Sequence, residues 1–338
     1  MAAYTTIDDP ELYFQTKIYT GDGNDDRDIV FDVTDTSMQP NMLWSARRDS
    51  GDNISLYDSV RGDGKEFRTA ESAGEYDSSD NIQALNSNGF QVGTDGQVNA
   101  DGGTYVSWAW KETADAGFDM VAYTGNQTAR TISHSLSAVP HWMIIKNRSN
   151  YSFQVYHHKN TSAPETEIMY LNTTAATSDS NVEWNDTAPT SSVFTVGTDV
   201  GVNENTKAMI AYLFTEKQGF SKFGVYTGNN NANGNFIYTG FRPAFVLSKD
   251  IDSGQSWHMH DHKRDTFNDD DNAHLIPNVN DSEANAKTNR GTMKTDLLSN
   301  GFKLNTDGSH TNGTGNHIYM AFAEAPFVNS KGVPCNAR

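Results

Sequence analysis

The tripeptide Tyr-Thr-Gly occurs at Tyr19, Tyr123 and Tyr226, and again at Tyr238; each of the first three copies is followed by the same landmarks in the same order. A chain with this self-similarity builds one supersecondary unit several times and buries each copy against the next. After each tripeptide a proline opens an apolar run: Pro40 before NMLWSARR, Pro140 before HWMIIKNR, Pro243 before AFVLSKD. The runs end on Arg47, Lys146 and Lys249 and give way to SLYDSVRG, SFQVYHHK and SWHMHDHKR, which mix aromatic and polar residues. Strand starts centred on Phe90, Phe194 and Phe302 come next, then a turn opened by Asn99, Asn203 or Asn312, then a closing run: TYVSWAW, KAMIAYLF or HIYMAFA. These landmarks place three units at residues 14–112, 118–216 and 221–327, with an N-terminal arm over 1–13 and a C-terminal tail over 328–338. The joints, KETADAG and EKQG, are too short for free motion and predict a fairly rigid rod or a compact cluster.

Within a unit the patterns are those of strands. In Tyr105-Val106-Ser107-Trp108-Ala109-Trp110 alternate residues face opposite ways, as in a pleated strand. WMIIK and AFVLSK are short, continuous apolar runs that suit central strands buried on both faces. The Gly-, Asn- and Asp-rich stretches TDGQVNADGG and TDGSHTNGTG predict hairpins that join GFQVG to TYVSWAW and GFKLN to HIYMAFA. No apolar stripe with helical period lasts three turns, so helix is expected only as single turns, as near DDPELYF. The fold class is therefore all-β with very little helix: three tandem antiparallel β-sandwich domains, jelly-roll or concanavalin-like.

Charge and composition narrow the function. The net charge of -18 repels phosphate backbones and anionic headgroups, so neither nucleic acid nor membrane is an expected partner. No apolar run reaches membrane-spanning length. MAAYTTIDDP lacks the basic and apolar regions of a signal peptide, which predicts synthesis in the cytoplasm. The single cysteine, Cys335, allows no intrachain disulfide and no cysteine-based zinc site.

No catalytic signature stands out. There is no GxSxG elbow, HExxH, Walker loop or GxGxxG, and no pairing of carboxylates marks a glycosidase; the chain reads as a non-enzyme with no cofactor. His258, His260 and His262 lie at strand spacing and could line up as metal ligands, although a polar strand face is the simpler reading. Asp269-Asp270-Asp271 and the set Asp22, Asp25, Asp26 offer hard oxygens for structural calcium, without EF-hand spacing. Aromatic rings that could stack on sugars are Trp142, Trp184 and Trp257; Trp142 reads as core, and Trp184, in VEWNDTAP, reads as the surface candidate. The residues carried forward as ligand-binding candidates are Trp184, Trp257, His258 and His260. The polar loops SAGEYDSSDN, NTTAATSDSN and FNDDDNAHLIPNVNDSEANAKTNRG differ most between copies, and copy three has the longest.

Several stretches together resemble one family: MAAYTTIDDPELYFQTKIYTG, DSVRG, NDTAPTSSVFTVG, EKQGFSKFGVYTGN, YTGFRPAFVLSK, LLSNGFKL and YMAFAEAPF. The chain resembles, over nearly its whole length, the tandem-repeat virion structural proteins of tailed bacteriophages of the marine and cyanophage type. That resemblance implies a virion protein without catalytic residues, made in host cytoplasm and released by lysis. It implies partners among other copies of itself and other virion proteins, as a trimer or other tail-symmetric homo-oligomer. The expected role is a tail-associated fibre or spike that contacts the host surface and its glycan, the alternative being a capsid decoration protein. The two ends of the chain are expected to act as arms that lace neighbouring subunits.

Overall fold

The computed structural model describes residues 4–32, 36–264, 268, 273–291 and 293–335. Strand accounts for 40% of the chain and helix for 8%, and every strand pair is antiparallel. The first unit contains β1 (Phe14–Thr20), β2 (Arg27–Val30), β3 (Met42–Arg47), β4 (Ser55–Asp58), β5 (Lys65–Arg68), β6 (Tyr76–Asp77), β7 (Ile82–Asn86), β8 (Gly89–Val92), α1 (Gly96–Asn99) and β9 (Thr104–Trp110). The second has β10 (Phe118–Thr124), β11 (Arg130–Ser133), β12 (Trp142–Asn147), β13 (Gln154–His157), β14 (Glu167–Tyr170), β15 (Ser178–Asp179), β16 (Val193–Val196), α2 (Val200–Asn203) and β17 (Ala208–Phe214). The third has β18 (Ser221–Thr227), β19 (Phe236–Tyr238), β20 (Phe241–Asp250), β21 (His258–Asp261), α3 (Glu283–Arg290), β22 (Thr295–Leu298), β23 (Gly301–Leu304), α4 (Ser309–Asn312) and β24 (Asn316–Pro326).

Each unit repeats one topology. A large sheet places the closing strand between the first strand and the apolar run: β1-β9-β3-β4-β5-β6, β10-β17-β12-β13-β14-β15 and β18-β24-β20-β21. A small sheet holds the rest: β2-β8-β7, β11-β16 and β19-β23-β22. β12 is buried at every residue, as its continuous apolar sequence requires. Pro243 lies inside β20, where the pairing with β24 slips register.

The expected hairpins are replaced by crossovers. β8 and β9 lie in different sheets, as do β23 and β24. In the first two units an aspartate caps a short helical turn there: the Asp95 carboxylate accepts from Gln97 N and that of Asp199 from Gly201 N. The turn then carries the chain from the small sheet to the large one.

Tyr-Thr-Gly and the later asparagine form one clasp over this crossover. The hydroxyls of Tyr19, Tyr123 and Tyr226 donate to the carbonyls of Val98, Val202 and Thr311 at 2.8, 2.6 and 2.7 Å. Asn99, Asn203 and Asn312 end the turns, and their amide oxygens accept from the backbone N–H groups of Asp22, Asn126 and Asn229. A Cβ on Gly125 would lie 2.1 Å from the Glu204 carbonyl oxygen, so only glycine fits beside the crossover.

The three large sheets face one another across a single core. Trp110, Phe214 and Phe322 hold the same register on the three closing strands. Their rings meet, with centroids 5.6 Å apart for Trp110–Phe322 and 6.0 Å for Phe214–Phe322. The opposite faces of the first two large sheets pack on their small sheets through separate clusters, Leu43, Tyr57 and Ala109 with Ile29 and Phe90, and Met143, Tyr156 and Ala211 with Ile132 and Phe194. The unit boundaries join in a closed ring. Glu75 N donates to Arg148 O, Thr177 N to Ile251 O and Glu283 N to Arg48 O, at 2.8, 2.9 and 2.9 Å. Each bond links one unit to the next, and the third returns to the first. The described part of the N-terminal arm packs on its own chain: Ile7 is buried in the shared core and Tyr4 donates to Gly240 O at 2.8 Å.

Candidate functional site

The ring has two ionic seams and one neutral seam. Between units one and two, Arg61 pairs with Asp58, both side chains fully buried, and Tyr212 of unit two donates to the same carboxylate at 2.6 Å. Between units three and one, Arg264 pairs with Asp261 and Trp108 Nε1 donates to it at 3.1 Å. Burial opposes ionisation of Asp261, but the Arg264 guanidinium outweighs it and holds that carboxyl below the usual range. Arg148 forks onto Glu75 and Arg48 onto Glu283 at the same two seams. Between units two and three the equivalent residues are His157 and Asn160, and Ile251 replaces the arginine. Burial keeps His157 neutral.

A groove opens on this neutral seam, lined by Tyr4, His141, Glu216, Lys222, Tyr238 and Gly240 among others. Lys222 Nζ donates to the Tyr238 carbonyl at 2.9 Å and lies 5.3 Å from the centre of that ring. Beside it β19 carries Phe236 and Tyr238, which are 46% and 49% exposed while Ile237 between them faces inward. The matching residues are Asp28 and Val30 in unit one and Thr131 and Ser133 in unit two, so the aromatic pair belongs to unit three alone. Its signal in the sequence was an aromatic–apolar–aromatic alternation, which puts two rings on the outer face of a strand.

Among the described residues, His141, His158 and Glu216 are the group whose ligand atoms come within 4.8 Å of one another. Their bonds are structural. Glu216 N donates to His141 Nδ1 at 3.0 Å, His158 Nε2 donates to Phe223 O at 2.8 Å, and Glu216 Oε1 accepts from Phe223 N at 2.9 Å. In unit one Asn41 and Glu112 make the same backbone bonds. Burial and the neighbouring His158 push His141 down to about 4.

The candidates read from the sequence lie elsewhere. Trp184 is 1% exposed and donates to Glu167 O at 2.9 Å; Trp257 is fully buried and donates across the neutral seam to Tyr170 O at 3.0 Å. Neither is a surface platform, because each indole fills a core and uses its one donor on a carbonyl. Trp142 is core, with Trp257 5.8 Å away. His258 and His260 share the buried outer face of β21, whereas His262 follows the strand and its ring contacts Ala244 O at 3.1 Å. Their neighbours are His274 and His310, which no local pattern connects to them. Asp22, Asp25 and Asp26 are exposed and do not converge on a cation position; Asp269, Asp270 and Asp271 lie outside the described residues.

A family model described as a domain of unknown function, DUF7483, matches residues 9–326. No curated protein matches the chain.

Proposed function

The chain belongs to the DUF7483 family, whose defining region runs through all three units, and from that premise we propose that it is a non-enzymatic virion structural protein. In this reading it is a tail-associated fibre or spike component that works beside other copies of itself and other virion proteins, and it contacts host-surface glycan through the groove of the neutral seam. The observation that carries the reading is the exposed Phe236–Tyr238 pair beside that groove. Aromatic faces stack on the apolar faces of sugar rings, and Lys222, Glu216 and His141 supply hydrogen-bonding groups alongside. The resemblance to phage tandem-repeat proteins supports the virion setting. A ring with short joints and a common core supports a rigid part, and the two sheet layers of each unit support reading it as a β-sandwich of jelly-roll type.

The test is binding of the purified chain to host cells and to their isolated surface polysaccharide. Wild type binds, and Phe236→Ala with Tyr238→Ala weakens binding by roughly 10- to 100-fold, from about 0.5–1.5 kcal/mol per stacked ring. Equal binding by the double variant, or no binding by wild type, contradicts the reading. Copy number in purified virions separates a tail part from a capsid decoration: a tail part is present in tens or fewer and a decoration in hundreds.

A further inference from the structure

Unit three holds a set of imidazoles in its interior. His258 is fully buried, and the rings of His274 and His310 each have their centre 5.2 Å from its own. Neither nitrogen of His258 has a hydrogen-bond partner, nor does Nδ1 of His310. A buried polar group left unpartnered is costly, and a neutral imidazole has one donor and one acceptor to place.

Unit one shows what these positions do elsewhere. The strand registers align His258 with Ser55 and His274 with Glu66, and the crossover turns align His310 with Gln97. In unit one these residues satisfy one another. Ser55 Oγ donates to Glu66 at 2.6 Å, Asn81 donates to its other oxygen at 3.0 Å, and the Gln97 amide, with its nitrogen turned toward Glu66, donates at 3.2 Å. In unit two the positions hold Gln154, Ile168 and Gly201. Unit three thus replaces a self-satisfied polar set with three imidazoles, of which His258 has no hydrogen bond at either nitrogen.

The geometry points to a transition-metal site, formed by His258, His274 and His310, for a divalent ion of the zinc, cobalt or nickel class. Metal–nitrogen bonds of about 2.0–2.1 Å in a tetrahedral field put imidazole centres about 5 Å apart, which is the spacing of both pairs around His258. The three ligand nitrogens do not all lie within 4.8 Å of one another as the rings stand, so closure onto an ion takes ring rotations, which no hydrogen bond to His258 or to His310 Nδ1 opposes. Imidazole selects this class over calcium or magnesium, which take oxygen ligands. Burial, then the neighbouring imidazoles, keep His258 neutral, so that one ring nitrogen has a lone pair to offer. Arg290 and Lys249 are the cations facing the set and Asp250 the carboxylate near His310. His310 is half-buried and provides the way in from solvent. The tighter His141–His158–Glu216 group is a poorer candidate, because backbone groups already occupy His141 Nδ1 and His158 Nε2.

The test uses the full chain, freed of metal by chelator dialysis and titrated with zinc chloride calorimetrically and with cobalt(II) by visible absorption. The expected result is one ion per chain, the absorption bands of tetrahedral cobalt, and a thermal midpoint that rises with zinc. His310→Ala, at a half-buried position on a single turn, weakens uptake by at least ~10-fold while the circular dichroism spectrum is kept. His258→Gln does the same, and His134→Ala, outside the set, binds as wild type. Absence of uptake at micromolar zinc, uptake unchanged in both His258→Gln and His310→Ala, or uptake that follows His158 instead, overturns the assignment.

Discussion

Asp58 and Arg61, with Asp261 and Arg264, repeat one buried motif at two seams: the arginine also donates to the carbonyl of Leu56 or Met259 on the strand just before it. A buried pair of this kind is costly to break, because the surviving charge is left without a counter-ion. Arg61→Asn is therefore expected to cost about 3–5 kcal/mol in urea unfolding. The double variant Asp58→His with Arg61→Asn imports the neutral pair of unit two and is expected to cost less than the single change; equal or greater loss would show that the seam does not tolerate the swap. The clasp gives a second expectation. Asn203 accepts from Asn126 N and donates to the carbonyls of Thr128 and Gly197. Asn203→Ala leaves these groups unpaired and is expected to cost about 3 kcal/mol by the same measurement.

At the scale of elements, all ten histidines lie in units two and three. Burial holds His157 and His258 well below the ordinary imidazole range, and both are fully buried. The unfolded chain takes up protons below about pH 6.5 while these rings stay neutral in the fold. Their contribution is thus intact above that pH and declines as the pH falls toward the folded values, by about 1.4 kcal/mol per unit for each ring. Hydrogen exchange at pH 5 against pH 7, corrected for the intrinsic rate, is expected to show β13 and β21 opening first, with β3 and β9 little changed; uniform loss would contradict this. The same elements show what was legible in the sequence. The strands of each unit were readable because period and landmark are local. The hairpins were misread because Asp-Gly signals a tight turn and also the start of a helical turn, capped by Asp95 in unit one and begun at Gly308 without a side-chain cap in unit three, and only the partner sheet decides. Trp184 was misplaced because its neighbours, Asn185 and Asp186, are polar while the indole itself packs in the core of unit two. His258 and His260 were visible as a strand face, but His274 and His310 arrive from other segments. The seams were invisible because their partners lie far apart in sequence.

At the scale of the molecule, the three units are held by what they share and distinguished by what unit three changed. The closing strands meet at Trp110, Phe214 and Phe322, so no large sheet buries its inner face without the other two. Phe322→Ala is expected to cost about 3–5 kcal/mol and to lower the stability of all three units together. The aromatic pair beside the groove, the imidazole set and the neutral seam all involve unit three, where the scaffold is constant and the side chains differ. That division depends on the ring being one cooperative body. Urea unfolding followed both by tryptophan fluorescence, which samples all three units, and by far-ultraviolet circular dichroism tests this most directly. The ring predicts coincident curves with one transition, whereas two or three separated transitions would contradict it.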